Sequence, residues 1–262
     1  MKAKKSLGQH FLKSERALRQ IVSAAKPTPE DCILEIGPGH GVLTERLIPL
    51  VKKVFAVEKD RELIPLLTKK FRDEVRDGTI EIIEQDILKW SPEALADTSY
   101  KLVANIPYYI TGAIIEQFLS AAHQPTIMVL LMQREVAERI VARDGKESIL
   151  SIAVHVYGIP QIIDRVPPGA FAPAPTVESA ILSIEHITRD FFADCNESLF
   201  FAVLKSVFGK KRKQIGGSLS EYLDNREEAH RILDMVSIDP KSRPEDIHIY
   251  EWKKLVQAIH TK

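Results

Sequence analysis

The chain has 262 residues, 45% hydrophobic and 27% charged, and its 36 basic and 36 acidic side chains cancel to zero net charge. That is the make-up of an ordinary soluble globular protein, long enough for one large α/β domain and a small appendage. No run approaches the ~18 apolar residues of a membrane span, and Cys32 and Cys195 match neither a metal-ligand nor a redox spacing.

In chain order, Ser14 is placed to cap a helix whose apolar positions Ala17, Leu18, Ile21, Val22 and Ala25 share one face; Pro27-Thr28-Pro29 ends it. Strands and helices then alternate. Strands are expected at Cys32–Ile36, Val54–Val57, Ile80–Ile83, Leu102–Ala104 and Ile127–Met132. The last is a continuous apolar run, as in a sheet covered on both faces. Helices are expected around Val42–Val51, Leu63–Phe71, Ile114–Ala122 and Gln133–Ala142. Ile152–Tyr157 and Ala180–Ile184 read as two more strands around a proline-rich loop at Val166–Pro175. The alternation predicts a doubly wound, mostly parallel α/β sheet of Rossmann type. Beyond about residue 188 the period turns helical, with a stripe of Leu199, Phe200, Val203, Leu204, Val207 and Phe208. Two shorter patterns follow, Ile232–Val236 and Trp252–Ile259. The expected division is a catalytic domain over 1–188 and a small helical domain over 189–262.

Chemistry-bearing residues gather where the expected strands end. Glu35-Ile-Gly37-Pro-Gly39-His-Gly41 joins the first strand to the first helix, and glycines there let backbone approach a ligand closely. The spacing is G-x-G-x-G rather than G-x-G-x-x-G, which favours S-adenosylmethionine over a dinucleotide such as NAD. Glu58 closes the second strand, 21 residues after Gly37, where a carboxylate accepts from ribose hydroxyls. Asp86 follows the third strand, its carboxylate positioned for an adenine amino group and Ile87 for packing on the ring. Asn105-Ile106-Pro107-Tyr108 ends the fourth. The Asn105 side-chain oxygen and a backbone carbonyl near Ile106 are suited to accept both hydrogens of a planar amine, Pro107 stiffens the turn, and Tyr108 offers a stacking face. Phe171, in the proline-rich loop, is a candidate second platform. Eight histidines show no ligand-type spacing, so no metal is expected.

Charge is unevenly spread. Residues 1–26 hold seven Lys/Arg against Glu15, and residues 205–213 hold five with no acid. These clusters fit contacts to a phosphate backbone, or two solvated surfaces. Lys4, Lys5, Lys210, Lys211, Arg212 and Lys213 are the candidate RNA-binding residues. The start of the chain leads into Ser6-Leu-Gly-Gln-His10 rather than an apolar core, so no secretory signal is expected and a cytoplasmic setting is.

The ordered motifs resemble the rRNA adenine N6-dimethyltransferase family, the small-subunit (16S) branch more closely than the erythromycin-resistance branch. The resemblance runs from Lys5-Ser-Leu-Gly-Gln-His-Phe-Leu12 through Glu35–Gly41, Val57-Glu58, Gln85-Asp86, Asn105–Tyr108 and Gln133–Arg139. It continues with Phe171-Ala-Pro173-Ala-Pro175, Ser179-Ala180 and Phe208–Lys213 to Arg243–Ile247. It implies S-adenosylmethionine held by His10, Leu12, Gly37, Glu58, Asp86 and Asn105. It also implies dimethylation of two adjacent adenosines near the 3′ end of small-subunit rRNA, late in subunit assembly, by a monomer. Several positions depart from the family pattern: His10 stands where asparagine is also common, and Thr176 and Glu178 where Lys and Asp are expected. Gly216-Gly217 is expected to loosen the segment after the basic cluster. Rival readings are the large-subunit resistance enzyme and a non-catalytic RNA-binding relative.

Overall fold

A computed structural model of the chain describes residues 4, 8–142, 144–210 and 213–260. A short strand β1 (Phe11–Leu12) precedes helix α1 (Glu15–Ala25), which starts on Ser14, whose Oγ accepts the Ala17 N–H at 3.3 Å. The apolar stripe of α1 is buried and packs on the central sheet. Strands β2 (Cys32–Ile36), β3 (Lys53–Glu58), β4 (Ile80–Glu84), β5 (Tyr100–Asn105) and β6 (Met128–Gln133) then alternate with helices. These helices are α2 (Thr44–Leu47), α3 (Ile64–Lys70), α4 (Arg72–Asp77), α5 (Thr111–Ser120) and α6 (Arg134–Ile140). After α7 (Ile149–His155), strands β7 (Ile159–Val166), β8 (Phe171–Ala172) and β9 (Ser179–Glu185) follow.

Seven strands form one sheet in the order β4-β3-β2-β5-β6-β9-β7, while β1 pairs antiparallel with β8. Strands β2 to β6 are parallel; β9 runs antiparallel to both neighbours. The order reverses between β2 and β5, and the crevice beyond their carboxyl ends is where such sheets bind ligands. Register makes this concrete: Ile36 pairs with Ala104 and Ile36 also with Val57, so the glycine turn, Glu58 and Asn105 emerge side by side.

Contacts divide the described residues into two compact units, one within Met1–Glu138 and Gly158–Ile187, the other within Arg139–Tyr157 and Thr188–Lys262. The expected boundary near 188 misses one excursion, residues 139–157. The second unit is helical, with α7, α8 (Glu197–Phe208), α9 (Ile215–Leu223), α10 (Arg226–Met235) and α11 (Ile249–His260). Asn196 and Asn225 cap α8 and α10 with their side-chain oxygens, and Phe200, Leu204, Leu219, Leu233 and Trp252 are fully buried. No helix among the described residues is long and apolar enough to cross a membrane.

Three further expectations need correction. Ile152–Tyr157 is not a strand, because a Ser148–Ser151 capping box starts α7 and carries the same β-branched residues into a helix. Edge strand β7 replaces it; Pro160 is tolerated there because an edge leaves one row of backbone groups unpaired. The helix expected over Val42–Val51 is regular only at α2, and a 3-10 turn around Pro49 ends it. Gly216-Gly217 does not loosen the chain: both lie in α9, and a Cβ on Gly216 would sit 2.9 Å from the Pro240 carbonyl oxygen. Gly216 is what lets that helix approach Pro240.

Candidate active site

The turn after β2 is built on two buried acids. Glu35 is 1% exposed, and its Oε2 accepts the Thr44 hydroxyl at 2.7 Å. Burial pushes its carboxyl up to about 7; the Thr44 hydrogen bond opposes the rise and the Glu58 charge adds to it. Gly37 donates its N–H to Val57 O at 2.9 Å, tying the turn to the end of β3. Gly39, at φ +60°, donates to Glu58 Oε2 at 3.1 Å. A Cβ there would press the Phe11 ring at 3.1 Å and sit on a left-handed backbone, so the position favours glycine.

Glu58 closes β3 almost fully buried, and its Oε1 accepts the Asp60 N–H at 2.8 Å. Burial raises its pKa, with the Asp60 and Gly39 N–H groups opposing. These bonds leave lone-pair capacity on the carboxylate for a ligand. Asp60 is itself buried and accepts from Lys4 Nζ at 2.7 Å, Gln9 Nε2 at 2.8 Å and the Glu62 N–H at 3.2 Å. Burial works to raise its pKa, but these partners outweigh it and hold the carboxyl below its usual range. Asp86 caps a short 3-10 turn through the Leu88 N–H and pairs with Lys59 Nζ at 2.8 Å, which lowers its pKa. Ile87 beside it is buried.

Across the crevice, Asn105 Nδ2 donates to His10 O at 3.1 Å. A carbonyl can only accept, so this contact fixes the amide's orientation and leaves Oδ1 as an acceptor for something else. His10 is held in turn by Pro173 O at 2.8 Å from Nδ1, which therefore carries the proton. Its ring lies nearly parallel to that of Tyr108, at 18° and 6.0 Å between centroids. The Tyr108 hydroxyl shares a 2.7 Å hydrogen bond with Ser179 Oγ. Burial raises the phenol pKa and that hydrogen bond opposes the rise. One cavity is lined by His10, Leu12, Gly37, Gly39, Glu58, Asp86, Ile87, Asn105, Ile106, Pro107 and Tyr108, together with residues between them.

Not every expected residue joins them. Phe171 does not line the cavity; it is 2% exposed, within the hydrophobic core, and paired with Leu12 across the β1–β8 ladder. Its ring therefore presents no stacking face to the site, which corrects the second-platform expectation. Lys4 is bound to Asp60 and Glu62, so it straps the segment before β1 to the end of β3. In the second unit Lys210 and Lys213 both pair with Glu221, an acid beyond the window in which the basic run was counted. Lys5, Lys211 and Arg212 lie outside the described residues. Sequence reading gave no role to Gln9, Asp60 or Ser179, although Gln9 and Ser179 lie in motifs quoted above. Asp60 had one local signal, its place two residues past Glu58; its partners Lys4 and Gln9 are 56 and 51 residues away.

A seven-stranded sheet with acids, a glycine turn and an asparagine meeting at its switch point defines a Rossmann-like methyltransferase. The model of the family described as "Ribosomal RNA adenine dimethylase" matches residues 1–259, and the chain belongs to that family. A Dehalococcoides mccartyi protein named ribosomal RNA small subunit methyltransferase A is 42% identical over 97% of this chain and 88% of its own length. A Caldanaerobacter subterraneus protein of the same name is 37% identical, covering 99% and 98%. Among solved structures, a dimethyladenosine transferase from Plasmodium falciparum superposes with TM-score 0.83 at 25% identity, covering 96% of this chain and 98% of that one. A 23S rRNA methyltransferase shares the fold at TM-score 0.74 and 23% identity, over 95% and 98%.

Proposed function

We propose that the protein transfers methyl groups from S-adenosylmethionine to adenine N6 in small-subunit rRNA, two on each of two adjacent adenosines near the 3′ end. It acts as a cytoplasmic monomer on a late precursor of the small subunit. The observation that carries this reading is the Asn105 amide, whose nitrogen is committed to His10 O so that its oxygen remains for an amine. The names of the relatives support the choice of small-subunit rRNA.

The cavity fits the cofactor by its donor set. Glu58, under the glycine turn, has lone pairs for ribose hydroxyls, and Ile87 gives an apolar wall. Asp86 reaches an adenine amino group if it shares its carboxylate with Lys59. When bound, S-adenosylmethionine supplies an electrophilic methyl on a positively charged sulfur. The chain's residues do the positioning. In the first transfer Asn105 Oδ1 and a backbone carbonyl near Ile106 accept the two N6–H groups, and in the second one of them accepts the single N6–H that remains; each draws the nitrogen lone pair out of conjugation and aims it. Orientation of this kind accounts for several kcal/mol of barrier. Tyr108 holds the extruded base by stacking, offsetting the few kcal/mol that unstacking costs. The methylated nitrogen then loses a proton to solvent, so no side chain serves as a base. Lys210 and Lys213 contact RNA phosphate by exchanging Glu221 for it, since exposed ion pairs are worth only about 0–1 kcal/mol.

Incubation with methyl-labelled cofactor and undermethylated ribosomal subunits, with modified positions mapped, tests the reading. Dimethyladenosine at two adjacent small-subunit positions is the expected product. Label confined to the large subunit overturns the choice of substrate, and no label on either overturns the activity.

A further inference from the structure

We propose that Ser179 is a positioning residue for the methyl-transfer reaction, fixing the Tyr108 ring through its hydroxyl; this rests on the function proposed above. Ser179 is fully buried at the start of β9, and its Oγ lies 2.7 Å from the Tyr108 hydroxyl. Its backbone is fixed on both sides, because Ser179 pairs with Gln133 of β6 and Val166 of β7. The preceding residue is clamped as well: Glu178 O accepts the Arg134 N–H at 3.0 Å, and the Glu178 carboxylate pairs with the Arg134 guanidinium. Ser179 Oγ is thus a rigid point in the sheet.

Tyr108 needs such a point. It sits in a 3-10 turn, Tyr108–Ile110, that has no side-chain cap, and its neighbour Tyr109 is 64% exposed. The two aromatics in this turn differ in that only Tyr108 is anchored at its far end. With the hydroxyl held, the ring plane is set against His10, whose carbonyl orients the Asn105 amide. One hydrogen bond from β9 thereby links the stacking face to the amine acceptor. It also gives tyrosine a use that phenylalanine lacks, since stacking alone needs no hydroxyl. With the Phe171 ring in the core, the restraint that a second platform would have given falls to Ser179.

A double-mutant cycle tests this. Ser179→Ala and Tyr108→Phe should each slow single-turnover methylation about threefold to tenfold, the range commanded by one neutral hydrogen bond. The double variant should be no slower than either, with cofactor affinity unchanged throughout. Additive losses, or a normal rate in Tyr108→Phe, would overturn the proposal; the latter holds even if Ser179→Ala fails to fold. A fluorotyrosine-labelled protein gives a readout independent of activity. The ¹⁹F resonance that vanishes in Tyr108→Phe should shift or broaden in Ser179→Ala, and an unmoved resonance counts against the contact. If that resonance moves while the wild type methylates no rRNA, the contact stands and the proposed activity falls.

Discussion

Replacing Glu35 by glutamine should change how stability depends on pH. Glu35 is buried beneath the glycine turn, with its carboxyl raised from 4.5 to about 7. Between those values the folded chain keeps a proton that the unfolded chain has released. Stability therefore falls as pH rises through the window, is fully retained below 4.5 and is fully lost above about 7. At 1.36 kcal/mol per unit the span corresponds to about 3 kcal/mol. Glu35→Gln keeps an oxygen to accept from Thr44 but cannot ionise. Urea unfolding of both proteins from about pH 5 to about pH 8 isolates the effect as the difference between them. That difference should move in favour of the variant by about 2–3 kcal/mol across the range. A constant difference would refute the reasoning, because it would mean that Glu35 titrates alike in the folded and unfolded chains.

Glu58→Ala should weaken S-adenosylmethionine binding about tenfold to a hundredfold, as expected for losing hydrogen bonds to a charged group; calorimetry showing unchanged affinity would remove Glu58 from the site. Asp60→Asn loses the charge that Lys4 and Gln9 grip, and should speed cofactor dissociation about tenfold in stopped-flow measurements; an unchanged rate would mean the strap before β1 does not retain the ligand. Neutralising Lys210 and Lys213 together should reduce the slope of log affinity for substrate RNA against log salt by about 1.4, or about 0.7 per phosphate contact on a single strand. An unchanged slope would leave both lysines to Glu221.

What could be read from the sequence follows from locality. Gly37, Glu58, Asp86 and Asn105 each sit at the carboxyl end of an apolar run, and parallel pairing in register carries those ends to one edge, so finding the strands located most of the site. The restraints on those residues are not local. His10 O reaches Asn105 across 95 residues and Ser179 reaches Tyr108 across 71, and no period or spacing encodes either contact. Phe171 misled because its motif fixes its neighbours but not which face its ring takes; pairing with Leu12 turned it into the core. Helix α7 was hidden for a related reason, since β-branched residues favour a strand only until a cap such as Ser148 supplies a helix start. The basic run lost its charge balance to Glu221, one helix further on.

In the proposed reaction Asn105 accepts the amine while the cavity around it holds the cofactor. Single-turnover methylation of small-subunit rRNA by Asn105→Ala, measured beside its affinity for S-adenosylmethionine, tests this most directly. Cofactor binding should stay within a few-fold of wild type while transfer slows by about a hundredfold or more, the scale of losing one preorganised electrostatic contact. Near-normal transfer with that oxygen gone would contradict it.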